Sequence, residues 1–403
     1  MADLIGFIGI SLVSLITLLV ARRWPAISKI LFTALIIRIL FLLLGHYLIS
    51  LPDSTADAAS FERKAWYIGQ EGFSFVMSKF KGPDPFFITW WIAVPYSLIG
   101  RSILMAKSIT LLFGMGSVFL SYLVANKLWN NHIANKVGWI TALFPSLILY
   151  SVLTMREAYV CFFILLALYG VISWVKDNNF KSFILAISGF VAATFFHGAI
   201  FVGAIIFILY VGVESFKRIL KSLANYRINL NTLVIALIVI ASSMFYFSDK
   251  ISVPYLGSFD KSFNMQRILD STYNATAGDA SWPKWTIANS STELFYKAPV
   301  RSIYFVFAPF PWDIKKSEHF IGMLDAIMYV YLSFLILYNI KIIWRDPALK
   351  IVLIILMSYI FVFGIGVGNF GTGVRHRSKF VVMFILLAAP LFKKFILKKN
   401  FKE

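Results

Sequence analysis

Long apolar runs recur from one end of this sequence to the other, and they decide what kind of structure it can form. A run of roughly 17–25 apolar residues is long enough to cross about 30 Å of hydrocarbon as a helix. Hydrophobic residues make up 59% of the chain, whereas a soluble domain is nearer about 45–50% apolar. The sequence therefore predicts an all-α, polytopic transmembrane bundle and excludes a soluble globular protein.

The apolar runs predict about eleven transmembrane helices. They cover about 4–21, 27–50, 103–126, 137–153, 158–175, 182–196, 198–213, 231–247, 320–342, 350–368 and 379–392. A further apolar piece, Pro85–Gly100, is short and contains two prolines, so we expect a re-entrant or juxtamembrane helix there. Because no polar stretch is long enough to bury a core of its own, residues 1–403 are predicted to form a single transmembrane domain.

Short basic loops give the orientation of these spans. Cytoplasmic loops of membrane proteins carry an excess of Lys and Arg, and one side of the predicted bundle receives nearly all such loops. The basic residues on that side include Arg22, Arg23, Lys127, Lys136, Lys176, Lys217, Arg218, Arg345 and Lys398. Arg101 and Lys107 are exceptions, since they fall at the outer end of a span. The net charge of +19 is explained by orientation and by anionic headgroups, so nucleic acid is not an expected partner.

The outer side receives two longer segments. Residues 51–84 form the first outer loop, in which Phe61–Gly72 has helical spacing and predicts a juxtamembrane helix. Residues 248–319 form a larger loop that is too long for a simple connection. In a bacterial cell, both loops would be periplasmic.

Two acids in the first outer loop are candidate catalytic residues. Asp57 stands near the predicted start of the juxtamembrane helix, where it is either a helix cap or a base that accepts a proton from a sugar hydroxyl. Asp53 precedes it by four residues and is the second candidate base.

Further charged residues fall at the outer ends of later spans. Arg156 and Glu157 lie between two spans, and His197 ends another. Charged residues at such boundaries are often anchors, and a lone histidine there is often a satisfied interfacial residue. The alternatives are a catalytic carboxylate for Glu157, an anion-binding role for Arg156, and phosphate binding or proton relay for His197.

A cationic cluster follows the glycine-rich turn near the C-terminus. Arg375, His376, Arg377 and Lys379 come directly after Gly368–Gly373, and backbone at such a turn can approach an anion closely. Arginine grips phosphate oxygens in a bidentate manner. Orientation does not explain these charges on the outer side, so they are candidate ligands of a phosphate group unless the threading is displaced by one span. Arg38, in the middle of a span, is expected to face the interior and to have a partner.

Several of these motifs resemble a known group of enzymes. The first outer loop, with Asp57, Phe61, Ala65 and Gly72, resembles that of GT-C-type glycosyltransferases, which use polyprenyl-linked sugars. The resemblance continues through Asp84–Trp91, Leu98–Ile103 and Leu143–Ser151 and covers roughly residues 27–200. The acid that usually stands beside the first-loop acid is replaced by Ala58, which puts a metal-binding acidic pair in doubt.

Phe196–Gly198 and Gly371–Arg377 are closest to motifs of O-antigen and exopolysaccharide polymerases. This resemblance implies a multi-pass enzyme of the bacterial inner membrane that polymerises oligosaccharide repeats linked to polyprenyl diphosphate. It implies Asp57, Asp53 or Glu157 as the base and arginines as ligands of the leaving diphosphate. No cofactor is then required, although a carboxylate-bound divalent metal stays open.

The lipid bilayer and the lipid-linked oligosaccharide are the expected partners, with a chain-length regulator as a further candidate. One alternative is a transferase that moves a single sugar from a polyprenyl-phosphate donor. Another is a transporter or flippase of lipid-linked glycans, which the scarcity of charge within the predicted spans disfavours.

Overall fold

The computed structural model describes residues 1–84, 86–224, 280–316 and 319–392. Within these ranges the chain is helical and forms no β-strand, although an isolated antiparallel bridge pairs Ser281 with Asn369. The helices are α1 (Ala2–Arg23), α2 (Ser28–Tyr47), α3 (Asp57–Gly69), α4 (Phe73–Ser78), α5 (Phe87–Ile99), α6 (Ile103–Leu128), α7 (Asn131–Leu143), α8 (Pro145–Ser151), α9 (Glu157–Asp177), α10 (Phe180–Phe196), α11 (Phe201–Ala224), α12 (Ser291–Phe307), α13 (His319–Tyr338), α14 (Ile340–Arg345), α15 (Pro347–Gly366), α16 (Phe370–Arg377) and α17 (Val381–Ala388).

Six of the described helices are long and apolar enough to cross a membrane: α1, α2 with the turn before it, α6, α9, most of α11, and α15. Helices α7 and α8 together form a seventh candidate span, bent by 60° between them. Shorter apolar helices are α5, α10, the main part of α13, and α17 with the turn after it. The prediction of a multi-pass helical membrane protein is confirmed.

The count of about eleven spans is matched only in part by the described residues. Two predicted spans, at 182–196 and 379–392, correspond to apolar helices shorter than 18 residues, and the span predicted at 320–342 corresponds to α13, whose apolar part is Gly322–Tyr338. The predicted span at 231–247 lies outside the described residues, as does 248–279 of the second outer loop. Helices are present in both of the segments for which a short helix was predicted, as α3 in the first outer loop and as α5 within 85–100.

Helix α1 illustrates how a span divides its surface between protein and lipid. Its buried residues recur every three or four positions, which places them along one stripe of a helix. They are Gly6, Ile10, Val13, Thr17 and Ala21. The opposite face exposes large apolar side chains, as expected for a surface in contact with hydrocarbon, and these include Leu4, Ile8, Leu12, Leu15 and Leu19.

Helices α9 and α10 pack backbone against backbone. A Cβ atom added to Gly170 would lie 2.4 Å from the amide nitrogen of Ala186. The reciprocal position, Gly189, is equally crowded, since its added Cβ would lie 2.5 Å from the nitrogen of Ala167. Small residues allow this close approach in membrane helix pairs. The contact fixes the position of both helices and therefore of the residues at their ends.

A break before Pro145 exposes the carbonyl groups at the end of α7. Proline cannot donate a backbone hydrogen bond, and the last carbonyls of a helix have no partner within it. Arg38, from the middle of α2 and 1% exposed, donates from Nη1 to the carbonyl oxygen of Ala142 at 2.8 Å. Arg38 therefore has a partner, as expected, and that partner is the C-terminal end of helix α7. The same break directs α8, with Tyr150, toward the ends of α9 and α10.

Candidate active site

Charged residues from five parts of the chain meet where α9 begins and α10 ends. We call this group the charged cluster. Its members are Asp53 before α3, Asp57 at the start of α3, Tyr150 on α8, Arg156 and Glu157 at the start of α9, His197 after α10, Arg375 and His376 on α16, and Lys379 before α17. All but one of the residues predicted as catalytic or diphosphate-binding lie in this group, the exception being Arg377.

Glu157 is the buried centre of the charged cluster. It is the first residue of α9, where the positive end of the helix dipole favours a carboxylate, and its side chain is 1% exposed. Its Oε1 atom lies 3.3 Å from Nζ of Lys379 and 3.6 Å from Nε of Arg375. A buried carboxylate requires such partners because removing a charge from water is costly.

Arg375 joins the centre of the cluster to its rim. The side chain of Arg375 is 14% exposed and pairs through Nη1 with Asp57, whose side chain is 47% exposed. Burial alone would lower the pKa of Arg375, but the charges of Glu157 and Asp57 outweigh it and raise the pKa above its ordinary value. The guanidinium therefore stays charged between one buried and one accessible carboxylate. Asn369 accepts a hydrogen bond from Thr372 N at 2.7 Å and so caps the helix that carries Arg375.

Two histidines lie side by side within the charged cluster. The rings of His197 and His376 have centroids 5.1 Å apart. Burial, together with the nearby charge of Lys379, holds the pKa of each imidazole well below its usual range. Both rings are therefore neutral near pH 7. This corrects the expectation that His376 contributes positive charge to a leaving diphosphate, and it leaves both rings able to exchange protons.

Lys379 is a fully buried cation. Its Nζ atom lies 2.8 Å from Nδ1 of His376, so a protonated Lys379 donates to that nitrogen and leaves the ring proton on Nε2. Burial lowers the pKa of Lys379 to about 7, although the carboxylate of Glu157 opposes this shift. The charge of this group consequently changes within the physiological pH range.

Asp53 occupies an unusual backbone position at the rim. Its φ of 62° lies in the left-handed region, which side chains other than glycine adopt rarely and Asp more readily than most. Tyr150 donates a hydrogen bond of 2.8 Å to its Oδ2 atom. Burial raises the pKa of Asp53 above its ordinary value, despite the opposing effects of Tyr150 and Arg375. Tyr150 was not among the predicted site residues, although its position soon after Pro145 at the outer end of a span could have indicated it.

Several buried polar atoms in the charged cluster have no hydrogen-bond partner of acceptable geometry. They are both carboxylate oxygens of Glu157, Nε of Arg375 and Nδ1 of His197; of these, Oε1 of Glu157 and Nε of Arg375 face each other as an ion pair at 3.6 Å. Most buried polar atoms in proteins are hydrogen-bonded, and leaving one unsatisfied costs about 1–3 kcal/mol. Donors and acceptors of this kind, close to an accessible rim, are suited to a polar ligand.

Arg377 lies outside the charged cluster. Its side chain is 1% exposed and pairs with Asp325 of α13, with Nε of Arg377 2.9 Å from Oδ2 of Asp325. Its Nη1 atom donates to the carbonyl oxygens of Val306 and Ala308 at the end of α12. These contacts occupy the guanidinium, so its predicted role as a diphosphate ligand does not match its position. Arg377 instead fastens α16 to α12 and α13.

The remaining basic residues near the outer ends of the spans have partners of their own. The guanidinium of Arg156 packs 5.7 Å from the ring centre of Phe61, and its charge acts on both His197 and Lys379. Arg101 forms two hydrogen bonds with buried Glu62, at 3.0 and 2.8 Å. Lys107 lies 3.4 Å from the carbonyl oxygen of Gly45. Local contacts therefore account for Arg101 and Lys107, the two exceptions to the charge pattern.

Comparison with known proteins identifies no relative of this chain. No protein-family profile matches the chain, and no curated protein or solved structure is significantly similar to it. Among the described residues, no group of three or more His, Cys, Asp or Glu side chains is arranged to hold a metal ion.

Proposed function

We propose that this protein is a glycosyltransferase of the bacterial inner membrane that polymerises oligosaccharide repeats carried on polyprenyl diphosphate, working at the periplasmic face. The observation that carries the proposal is the set of unsatisfied buried atoms on Glu157, Arg375 and His197. They lie among three carboxylates and three cations at the converging ends of membrane helices. Such a site can bind a phosphate-bearing polar group and move a proton beside it.

Arg375, Lys379 and Arg156 are the proposed ligands of the leaving diphosphate. Charge develops on the leaving oxygen as the sugar–phosphate bond breaks, and preorganised cations stabilise that charge most effectively in a buried site. Arg375 is the proposed principal ligand because its guanidinium reaches from buried Glu157 to the exposed Asp57, and its Nε makes no short hydrogen bond. With both histidines neutral, the three basic side chains equal Asp53, Asp57 and Glu157 in number. A bound diphosphate would therefore compete with these carboxylates for the cations, first with the exposed Asp57 for Arg375.

Asp53 is the proposed general base. A base works best when its pKa lies closer to the working pH than that of an ordinary carboxylate, and the pKa of Asp53 is raised by burial. Tyr150 holds one oxygen of Asp53 and thereby orients the other. Glu157 is less suited to this role because it is 1% exposed and faces Lys379 and Arg375. Its proposed task is to hold these two cations in position.

The proposed reaction is a displacement at the anomeric carbon of the donor. A hydroxyl oxygen of the acceptor sugar forms the new bond to that carbon, and the hydroxyl proton passes to Asp53. The bond between the anomeric carbon and the diphosphate oxygen breaks, and the electron pair stays on the polyprenyl diphosphate. Arg375, Lys379 and Arg156 stabilise this product.

The distribution of glycan chain lengths tests the proposal. A strain lacking the gene is expected to retain lipid-linked material with one repeat and to lose the ladder of longer chains, and restoring the gene should restore the ladder. A transferase of single sugars would instead leave chain length intact and shift every band by one residue's mass. A transporter would leave untransported lipid-linked repeats on the cytoplasmic side. Either of these latter outcomes would overturn the polymerase assignment.

A further inference from the structure

A second cavity lies beside the charged cluster, between the C-terminal part of α3, the residues after α4 and the first turn of α5. We call it the side cavity. Its volume of about 240 Å³ is smaller than the about 300–1,000 Å³ of sites for drug-sized ligands, so it suits a single ring. Its walls include Phe80, Lys81, Asp84, Phe86, Thr89 and Trp90.

Aromatic rings form the apolar part of the side cavity. Phe80 and Phe86 are 48% and 45% exposed, a large fraction for side chains that line a cavity. Phe80 packs on Trp90 with ring centres 4.8 Å apart, and Trp90 is fixed by a hydrogen bond of 2.8 Å from its Nε1 to the carbonyl of Val76. The result is a rigid aromatic wall. The negative faces of such rings attract the positively polarised C–H groups on one face of a pyranose.

Polar groups complete the side cavity. Asp84 uses Oδ1 to accept a hydrogen bond of 2.8 Å from the backbone N–H of Phe86, which orients the carboxylate and leaves the other oxygen outside that bond. Thr89 is 2% exposed, and its hydroxyl has no hydrogen-bond partner within the part of the chain that the structure describes. Sugar hydroxyls can use such acceptors and donors. The charged groups of the lining, Asp84 with Lys79 and Lys81, disfavour an isoprenoid chain. The two lysines also attract a phosphate, so inorganic phosphate is the competitor that the test must include.

A layer of aromatic rings joins the side cavity to the charged cluster. Phe87 packs against Phe195 and Phe196, with ring centres 5.1 and 5.0 Å apart, and His197 is the next residue. On the other side, Phe86 lies 6.2 Å from Phe61, the ring that the Arg156 guanidinium covers. The cavity therefore lies one layer of side chains from the proposed reaction centre.

The geometry points to a sugar subsite in the side cavity, which binds one pyranose unit of the glycan substrate with a ring face against Phe80 and Trp90 and its hydroxyls toward Asp84. This inference rests on the proposed function, because it takes the glycan to be the substrate of the charged cluster. It adds that the protein recognises a sugar at a position away from the bond that is formed.

Saturation-transfer NMR on the purified full-length protein tests this subsite without any measurement of activity. The protein is held in a detergent that lacks a sugar head group. The probes are six methyl pyranosides (gluco, galacto, manno, N-acetylgluco, glucurono and 6-deoxygalacto), with inorganic phosphate as competitor. At least one pyranoside should receive saturation from the aromatic protons, and phosphate should not displace it.

Single variants then locate the binding. Phe80→Ala should weaken the binding of that pyranoside by about fivefold or more, because it removes a wall of the cavity. Asp84→Asn and Thr89→Val should each weaken it by a similar factor while keeping the size of the side chain. Phe73→Ala is the matched control, since Phe73 is 47% exposed on the neighbouring helix α4 and does not line the cavity.

Each of these measurements has a result that would overturn the proposed subsite. Absence of transfer to all six pyranosides, displacement by phosphate, or equal binding by wild type and all three cavity variants would reject it. Elution volume and thermal unfolding show whether each variant is folded. Sugar binding that depends on Phe80 would stand even if Arg375→Ala left the glycan ladder intact, so this test and that of the proposed function fail separately.

Discussion

Arg375 donates a hydrogen bond to Asp57, a residue 318 positions earlier in the chain. The pair joins α16, near the C-terminus, to the start of α3 in the first outer loop. Because Arg375 also faces Glu157, one guanidinium lies between a buried and an accessible carboxylate. A substrate anion would compete with Asp57 for this guanidinium, so the pair marks the entrance to the charged cluster.

Replacing Arg375 should abolish polymer formation with little effect on folding. Arg375→Ala removes the proposed principal ligand of the leaving group, and the loss of one such donor typically costs about 10²–10³ in rate. Arg375→Lys should restore activity only in part, because a point charge cannot make the bidentate contacts of arginine. The measurement is ladder length per amount of folded protein. Lys217→Ala is the control, as its side chain is 63% exposed and lies away from the cluster. A full ladder from Arg375→Ala would remove this residue from the mechanism.

Replacing Arg377 should have the opposite effect. Arg377→Ala leaves Asp325 as an unpaired buried carboxylate, which typically costs about 3–5 kcal/mol of stability. We expect a lower temperature of unfolding in detergent and less protein in the membrane, with near-normal activity per folded molecule. The double variant Arg377→Met, Asp325→Leu removes both charges and should recover most of the stability. A stable but inactive Arg377→Ala protein would instead indicate that Arg377 acts on the substrate.

The activity should fall as the pH rises through about 7. Burial lowers the pKa of Lys379 to about 7, so this proposed diphosphate ligand loses its charge above that pH. The groups that face it are Glu157, His376, Arg375 and Arg156. Lys379→Arg keeps the charge at all accessible pH values and should move the alkaline limb of the kcat/KM profile upward. Lys217→Arg should leave the profile unchanged, and an unmoved limb in Lys379→Arg would assign the limb to another group.

The ion pair that fastens α3 should respond asymmetrically to mutation. Glu62 is buried, whereas the side chain of Arg101 is 39% exposed. Arg101→Ala leaves the buried carboxylate of Glu62 without its cationic partner and should lower the free energy of unfolding by about 3–5 kcal/mol. Glu62→Gln leaves a cation that water can reach, and it retains a partner for Tyr96, so we expect a cost nearer about 1–3 kcal/mol. Chemical denaturation of the two variants measures the difference. Equal costs would mean that water reaches Glu62 in the folded protein.

The two sides of the membrane can be assigned by cysteine labelling. Thr55 is exposed beside the charged cluster, and Lys217 is exposed near the far end of α11. The native Cys161 is buried and should not react in the folded protein, so it can remain in place. A membrane-impermeant maleimide added to intact spheroplasts should label Thr55→Cys and should label Lys217→Cys only after lysis. Labelling of both positions before lysis would contradict the proposed orientation.

The sequence could predict the charged cluster because helix ends follow from hydropathy. Once the spans alternate, Asp57, Glu157, His197 and Arg375 all fall on one face, although they are far apart in the chain. Arg377 was misplaced because the prediction treated a run of neighbouring charges as one group. Residues two apart on a helix do not face each other, so Arg377 does not share the direction of Arg375.

Other features of the fold and the site depend on tertiary contacts that cannot be predicted from the sequence. The pairing of Tyr150 with Asp53 requires the bend before Pro145, and the bend angle is set by how α7 and α8 pack on their neighbours. The partner of Arg38 is a backbone carbonyl, which no side-chain pattern can reveal. The number of spans is similarly uncertain from hydropathy, because a short buried helix is as apolar as a long one.

The crowded crossing of Gly170 and Gly189 has a consequence for how the proposed site could open. Glu157 begins α9 and His197 follows α10, so both are attached to two helices whose backbones touch and cannot slide or rotate without a clash. These two residues therefore form a stationary wall. If the proposed glycan enters this site, we expect the motion that admits it to displace the opposite side, where the ion pair between Asp57 and Arg375 is the contact that would have to break.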